Sequence, residues 1–185
     1  MTANLATDPD PSTPPQSNGE LSLPSRPPMS LVAVREVVLR YRGPALRASP
    51  VRSPNDAVQL AQRIVHDDSK EHFLALYLDG RHCPIGHGVV SVGTATASLV
   101  HPREVYQAAV LLGSVAVVVL HNHPSGNESP SVEDREVTKR LADAGRLLGI
   151  PLLDSIVFTR SGLFESLRDQ HPDAFASPAS LPSLA

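Results

Sequence analysis

Val117-Val118-Val119-Leu120-His121-Asn122-His123-Pro124-Ser125-Gly126-Asn127-Glu128-Ser129-Pro130-Ser131-Val132-Glu133-Asp134 is the stretch on which the reading of this chain turns. Its run of β-branched and aliphatic residues, halted by Pro124, predicts a buried strand covered on both faces. Successive side chains on a strand point to opposite faces, so His121 and His123 project together and Asn122 points away from them. Two imidazoles can then converge on one metal ion. After a polar turn, Ser131 stands three residues before Asp134 at the head of a strongly helical segment. That spacing puts the Asp134 carboxylate in the first helical turn, at the mouth of a strand-turn-helix unit.

Each half of the motif also has a plainer explanation. His-x-His on a strand is more often a pair of hydrogen-bonded polar residues than a metal site. Ser131-Val132-Glu133-Asp134 reads equally well as a capping box, Ser131 bonding the backbone of the first turn and Asp134 favoured by the helix dipole. Joined by a Pro-Gly-containing turn, the halves supply three N/O ligands, the set of a catalytic zinc that keeps a fourth position for water. Structural zinc closes its shell with four protein ligands, mostly cysteine, and this chain has a single cysteine, Cys83.

His121-x-His123-Pro124, followed seven residues later by Ser131-x-x-Asp134, resembles the metal motif of the JAB/MPN (JAMM) metalloproteases. The fuller string His121-Asn122-His123-Pro124-Ser125-Gly126, with Pro130-Ser131-x-x-Asp134, resembles their RadC-like branch. Gly93-Thr94, Val100-His101-Pro102-Arg103-Glu104-Val105, Thr138 and Leu148-Gly149-Ile150-Pro151-Leu152-Leu153-Asp154 fit the same branch, so the likeness runs from roughly residue 30 to 168. It implies a single JAB/MPN-like (cytidine-deaminase-like) α/β domain, a mixed β-sheet flanked by helices. It implies one Zn2+ per chain on His121, His123 and Asp134, with Glu71 as general base and Ser131 hydrogen-bonding the anionic oxygen of the attacked amide. Read without the resemblance, Glu71 is equally a solvated charge at a strand edge. The sequence departs from the branch in two places: no helix-hairpin-helix region is read in it, and Ser155 stands where a histidine commonly follows the aspartate.

Composition sets the outer bounds. The 185 residues, 41% hydrophobic, suffice for one domain with a sizeable core, and with 4% aromatics and no Trp that core is built from Val, Leu, Ile and Ala. The net charge of -3, with no basic stretch, is not that of a protein neutralising duplex phosphates, so DNA association is not supported by charge. One cysteine favours a reducing cytoplasm, and neither an export signal nor the ~18 consecutive apolar residues of a membrane span is present.

Seven of the eighteen prolines fall in Met1–Pro28, which reads as a disordered tail; residues 29–168 read as the RadC-like domain and 169–185 as a second flexible tail. Within the domain the pattern predicts a strand over Leu31–Tyr41 and a helix from Pro54 to about Asp67, capped by Ser53. It then predicts a strand over Lys70–Gly80 and two short strands, Ile85–Val92 and Ala95–Val100, parted at Gly93. A helix follows over Pro102–Leu112, then a core strand over Val115–Leu120, a helix over Val132–Leu148 and a hairpin of Pro151–Thr159 with Leu163–Leu167.

The function expected is a zinc-dependent metallohydrolase, a JAMM-type metallopeptidase cleaving a peptide or isopeptide amide bond in a peptide or protein substrate. A zinc deaminase also pairs a glutamate with zinc, but needs His-x-Glu and Pro-Cys-x-x-Cys, which one cysteine excludes. The alternatives kept are a non-catalytic metal-binding scaffold and a DNA-repair accessory protein of the RadC type. Oligomeric state is not written in the sequence.

Overall fold

The computed structural model describes residues 46–93 and 100–175. The expected N-terminal tail, the strand at Leu31–Tyr41, nearly all of the strand at Ala95–Val100, and residues 176–185 lie outside the described residues. What is described is a mixed five-stranded sheet in the order β2-β1-β3-β4-β5, with helices against both faces.

Helix α1 (Pro54–Ile64) starts as its sequence dictates: Ser53 caps it, Pro54 stands in the first turn, and Asp56 closes a capping box by accepting from the Ser53 N–H at 2.9 Å. It ends at Ile64, three residues short of the expected Asp67. β1 (His72–Leu78) and β2 (Pro84–Val92) pair antiparallel, and β1 also pairs antiparallel with β3 (Ala116–Asn122). Between them α2 (Pro102–Leu112) ends at Gly113, whose φ of 65° is the left-handed conformation of a helix C-terminus. Helix α3 (Val132–Leu148) returns the chain, so β4 (Leu152–Phe158) lies parallel to β3, as a strand-helix-strand crossover requires. β5 (Phe164–Ser166) closes the edge antiparallel to β4.

Strand alternation divides the core in two. Phe73, Ala75, Tyr77, Val117, Val119 and Val157 face α2 and α3 and pack on Val105, Ala109, Val137 and Leu141. Leu74, Leu76, Leu78, Val118, Leu120, Ile156 and Phe158 face α1 and pack on Ala57, Val58 and Ala61. Two phenols tie the first layer together, Tyr77 Oη donating to the Val105 carbonyl at 3.2 Å and Tyr106 Oη to that of Leu141 at 2.9 Å. Burial pushes the Tyr77 hydroxyl up to about 12.

Two expected boundaries move. The core strand does not stop at Leu120 but runs through Asn122, so it carries His121 and ends one residue before His123. The stretch from Asp169, expected to be loose, is packed as far as residue 175: α4 (Leu167–Gln170) leads into a 3-10 turn (Pro172–Phe175) that buries Ala174 and Phe175 in the α2/α3 layer. Two apolar side chains in an otherwise polar, Pro-containing stretch give no periodicity from which sequence patterning could find this.

Candidate metal centre

His121 sits at the end of β3 on the α2/α3 face, with 1% of its side chain exposed. Phe73, its antiparallel partner on β1, stacks on the ring at 5.8 Å between centroids and 11° between planes. Neither ring nitrogen has a hydrogen-bond partner. A buried polar group normally has one, since leaving it unpaired costs about 1–3 kcal/mol. An imidazole lone pair in this state suits a metal ion.

His123 lies two residues on, half-buried, its ring edge-on to His121 at 4.9 Å. Its backbone N–H continues the ladder to the Phe158 carbonyl at 2.9 Å, and Gly126, at φ 81°, turns the chain back so that its N–H reaches the His123 carbonyl at 3.1 Å. The turn also puts the Asn127 carbonyl 2.7 Å from His123 Nδ1. A carbonyl only accepts, so this contact fixes the proton on Nδ1 and leaves the Nε2 lone pair free, the tautomer and second contact typical of a metal-ligating histidine.

Asp134 faces both rings from the first turn of α3: Oδ1 is 3.1 Å from His121 Nε2 and Oδ2 is 3.8 Å from His123 Nε2. Asp134 Oδ1 is thus the polar atom that stands against the buried His121 Nε2. Oδ2 also accepts from the Ser131 N–H and the Ser131 hydroxyl, both at 2.7 Å, while Ser131 Oγ accepts the Asp134 N–H at 3.1 Å. The capping box and the ligand reading are therefore compatible. Oδ2 is engaged by the cap, which aims Oδ1 at His121. Burial pushes this carboxyl up, but the adjacent His121 ring and the Ser131 donors outweigh it and hold the group well below the usual carboxylate range. Asp134 is thus ionised, as a ligand must be. The Ser131 hydroxyl proton is committed to Asp134 in this arrangement and not to a substrate oxygen.

Glu71 immediately precedes β1. Continuing the β1–β3 register two residues beyond Phe73 opposite His121 sets Glu71 across from His123, on the same face as both histidines. A carboxylate oxygen of Glu71 and a ring nitrogen from each of His121 and His123 all lie within 4.8 Å of one another. The structure therefore brings all five expected site residues, Glu71, His121, His123, Ser131 and Asp134, to one end of β3. Two acids compete to complete the ligand set: Glu71 groups with the histidines, and Asp134 reaches His121 from the helix side. Asp134 is held by two Ser131 donors, the support expected of a ligating group, and Glu71 lies within reach of both histidines.

One contributor was missed by sequence reasoning. Asn122, between the histidines and 2% exposed, accepts the His72 N–H on Oδ1 at 2.8 Å and donates from Nδ2 to the Lys70 carbonyl at 2.9 Å, spanning Glu71. The alternation that sends it away from the histidines was the available signal. Ser155, buried, lies 2.8 Å from the Thr138 hydroxyl, which lies 2.8 Å from the Asp134 carbonyl. Ser155 thus reaches the Asp134 backbone through one residue.

The family model that matches is that of the RadC-like JAB domain, over residues 51–172. The chain belongs to the RadC-like JAB domain family. Among its relatives, a UPF0758 protein of Methanosarcina mazei is 43% identical over 120 residues, covering 65% of this chain and 52% of that protein. Another, of Shouchella clausii, is 46% identical over 120 residues with the same coverage, and one of Geobacillus kaustophilus is 43% identical over 107 residues, covering 58% and 47%. The chain spans about half the length of these curated relatives. The RadC-like JAB match runs from the residue before α1's cap region to the 3-10 turn, so it contains every element that builds the site. No described helix is long and apolar enough to cross a membrane.

Proposed function

We propose that this RadC-like domain is a zinc metallohydrolase, a metallopeptidase that cleaves a peptide or isopeptide amide bond. The observation that carries the reading is the His121 imidazole, buried with both nitrogens unpartnered and set against an ionised Asp134, with Glu71 in the same cluster. His121, His123 and Asp134 would hold the metal, two nitrogens and one oxygen, leaving room for water as catalytic zinc sites do. Zinc there would supply Lewis acidity, lowering the pKa of a coordinated water from about 15.7 to about 7.

The remaining work falls to the chain's own side chains. Amide hydrolysis requires that water lose a proton and that the departing nitrogen gain one, and Glu71, half-buried on the face of the two histidines, can do both in turn. Ser131 serves first as helix cap and as the donor that orients Asp134. Contact with the substrate oxygen would require its hydroxyl to turn from Oδ2. A peptide or protein amide is the substrate class proposed for this chemistry.

Purified protein should carry about one zinc per chain, and Asp134→Asn should weaken zinc binding because a neutral amide is a poorer ligand. A metal-free protein under zinc-replete conditions would end the proposal. Unchanged zinc affinity in Asp134→Asn would move the third ligand to Glu71.

A further inference from the structure

We infer that Asn122 is a positioning residue for Glu71: its buried amide grips the backbone on both sides of Glu71 and ties the base to the end of β3, between the two histidines. The inference rests on the hydrolase reading above. The β1–β3 pairing runs out at Phe73 opposite His121, and the N–H of His123 goes to the Phe158 carbonyl on β4. Asn122 takes over where the ladder stops. Its Oδ1 accepts the N–H that follows Glu71 and its Nδ2 donates to the carbonyl that precedes it. From the other side, the Gly93 N–H donates to the Glu71 carbonyl at 2.8 Å. The backbone at Glu71 is therefore held from β3 and from the end of β2 at once.

An acceptor and a donor side by side in one planar group are needed to meet an N–H and a carbonyl flanking one residue, and among side chains of this length only asparagine has both. Because Asn122 ends the strand that carries His121 and directly precedes His123, one stretch of backbone sets the distance from both histidines to the base. Displacing a reacting group by about 1 Å can cost on the order of 10²-fold in rate, so this hold on the Glu71 backbone should be visible in kcat.

The test uses the full chain with Asn122→Leu, which keeps the volume and loses both polar groups, and Asn122→Asp, which keeps the acceptor for the His72 N–H. Zinc content and KM should match wild type while kcat falls about 10- to 100-fold in Asn122→Leu and less in Asn122→Asp. In a Glu71→Gln background the same Leu substitution should cost less than about twofold more, since there is no base left to misplace. Equal losses in both backgrounds, or loss of zinc, would overturn the inference. A second readout needs no turnover: adding Zn2+ should move the Glu71 carboxylate carbon resonance in wild type and move it much less in Asn122→Leu. An equal response in both proteins refutes the positioning role. If wild type cleaves no peptide yet this response is lost in the variant, the hydrolase reading falls and the positioning role stands. Should Asn122→Leu fail to fold, Asn122→Asp carries both readouts.

Discussion

Ser131→Ala removes one hydroxyl that performs two tasks, and the structure allows a separate magnitude for each. Its oxygen accepts the Asp134 N–H at 3.1 Å, capping α3. Replacing a serine cap by alanine costs about 1 kcal/mol, which in a domain of this size lowers Tm by about 3–5 °C. Its proton goes to Asp134 Oδ2 at 2.7 Å. Without it that oxygen keeps only the Ser131 N–H, and contacts that orient a ligand are typically worth about 10- to 100-fold in metal affinity. Since zinc stabilises the folded chain through RT ln(1 + [L]/Kd), that weakening removes a further ~1.4–2.7 kcal/mol from the zinc-loaded protein at fixed free zinc. Thermal unfolding of metal-free and zinc-loaded samples, with zinc affinity from chelator competition, reads the two apart. The expected result is a modest Tm loss without metal and a clearly larger one with it. Equal losses in the two states with unchanged zinc affinity would refute the idea that the cap orients a metal-ligating carboxylate.

Phe175 lies 8% exposed in the core with the Arg168 guanidinium 4.6 Å from its ring centroid, so Phe175→Ala should destabilise by about 3–5 kcal/mol. Urea unfolding indistinguishable from wild type would return this segment to the status of a tail. Burial pushes the Asp154 carboxyl above its ordinary value of 3.8 despite hydrogen bonds from Ser166 Oγ, the Arg168 N–H and the Ser155 N–H. The folded chain therefore holds the Asp154 proton more tightly than the unfolded chain. This contribution to stability is full below 3.8 and is lost as pH rises through the folded-state value. Unfolding free energies of wild type and Asp154→Asn should converge or cross across that window, wild type gaining as pH falls, and parallel curves would remove Asp154 from the pH response.

Much of this was legible beforehand because the signals were local. The Ser53-Pro54 start of α1, Gly113 after α2, Gly149 after α3 and the apolar run of β3 each obey a rule confined to a few residues. The convergence of His121 with His123 follows from strand alternation. What stayed hidden depends on contacts distant in sequence. Asn122 looked inert because its partners, Lys70 and His72, are about fifty residues away. The two oxygens of Asp134 could divide their labour between cap and ligand only once α3 was docked beside β3, so spacing alone left the two readings as rivals. Local rules also misdirect: in the turn after β1 the left-handed residue is His82, at φ 58°, and not Gly80, because Asp79 Oδ1 accepts the N–H groups of Arg81 and Cys83 at 2.8 Å each.

Zinc content and hydrolysis rate of Glu71→Gln, measured on one preparation beside wild type, test the division of labour at the centre directly. Glutamine keeps the size of the side chain and cannot take a proton at neutral pH. With His121, His123 and Asp134 as ligands and Glu71 as base, the variant should hold about one zinc per chain and hydrolyse a peptide substrate about 10²- to 10⁴-fold more slowly. Loss of zinc together with activity would contradict the account by making Glu71 a ligand, and full activity with zinc in place would contradict it by removing the base.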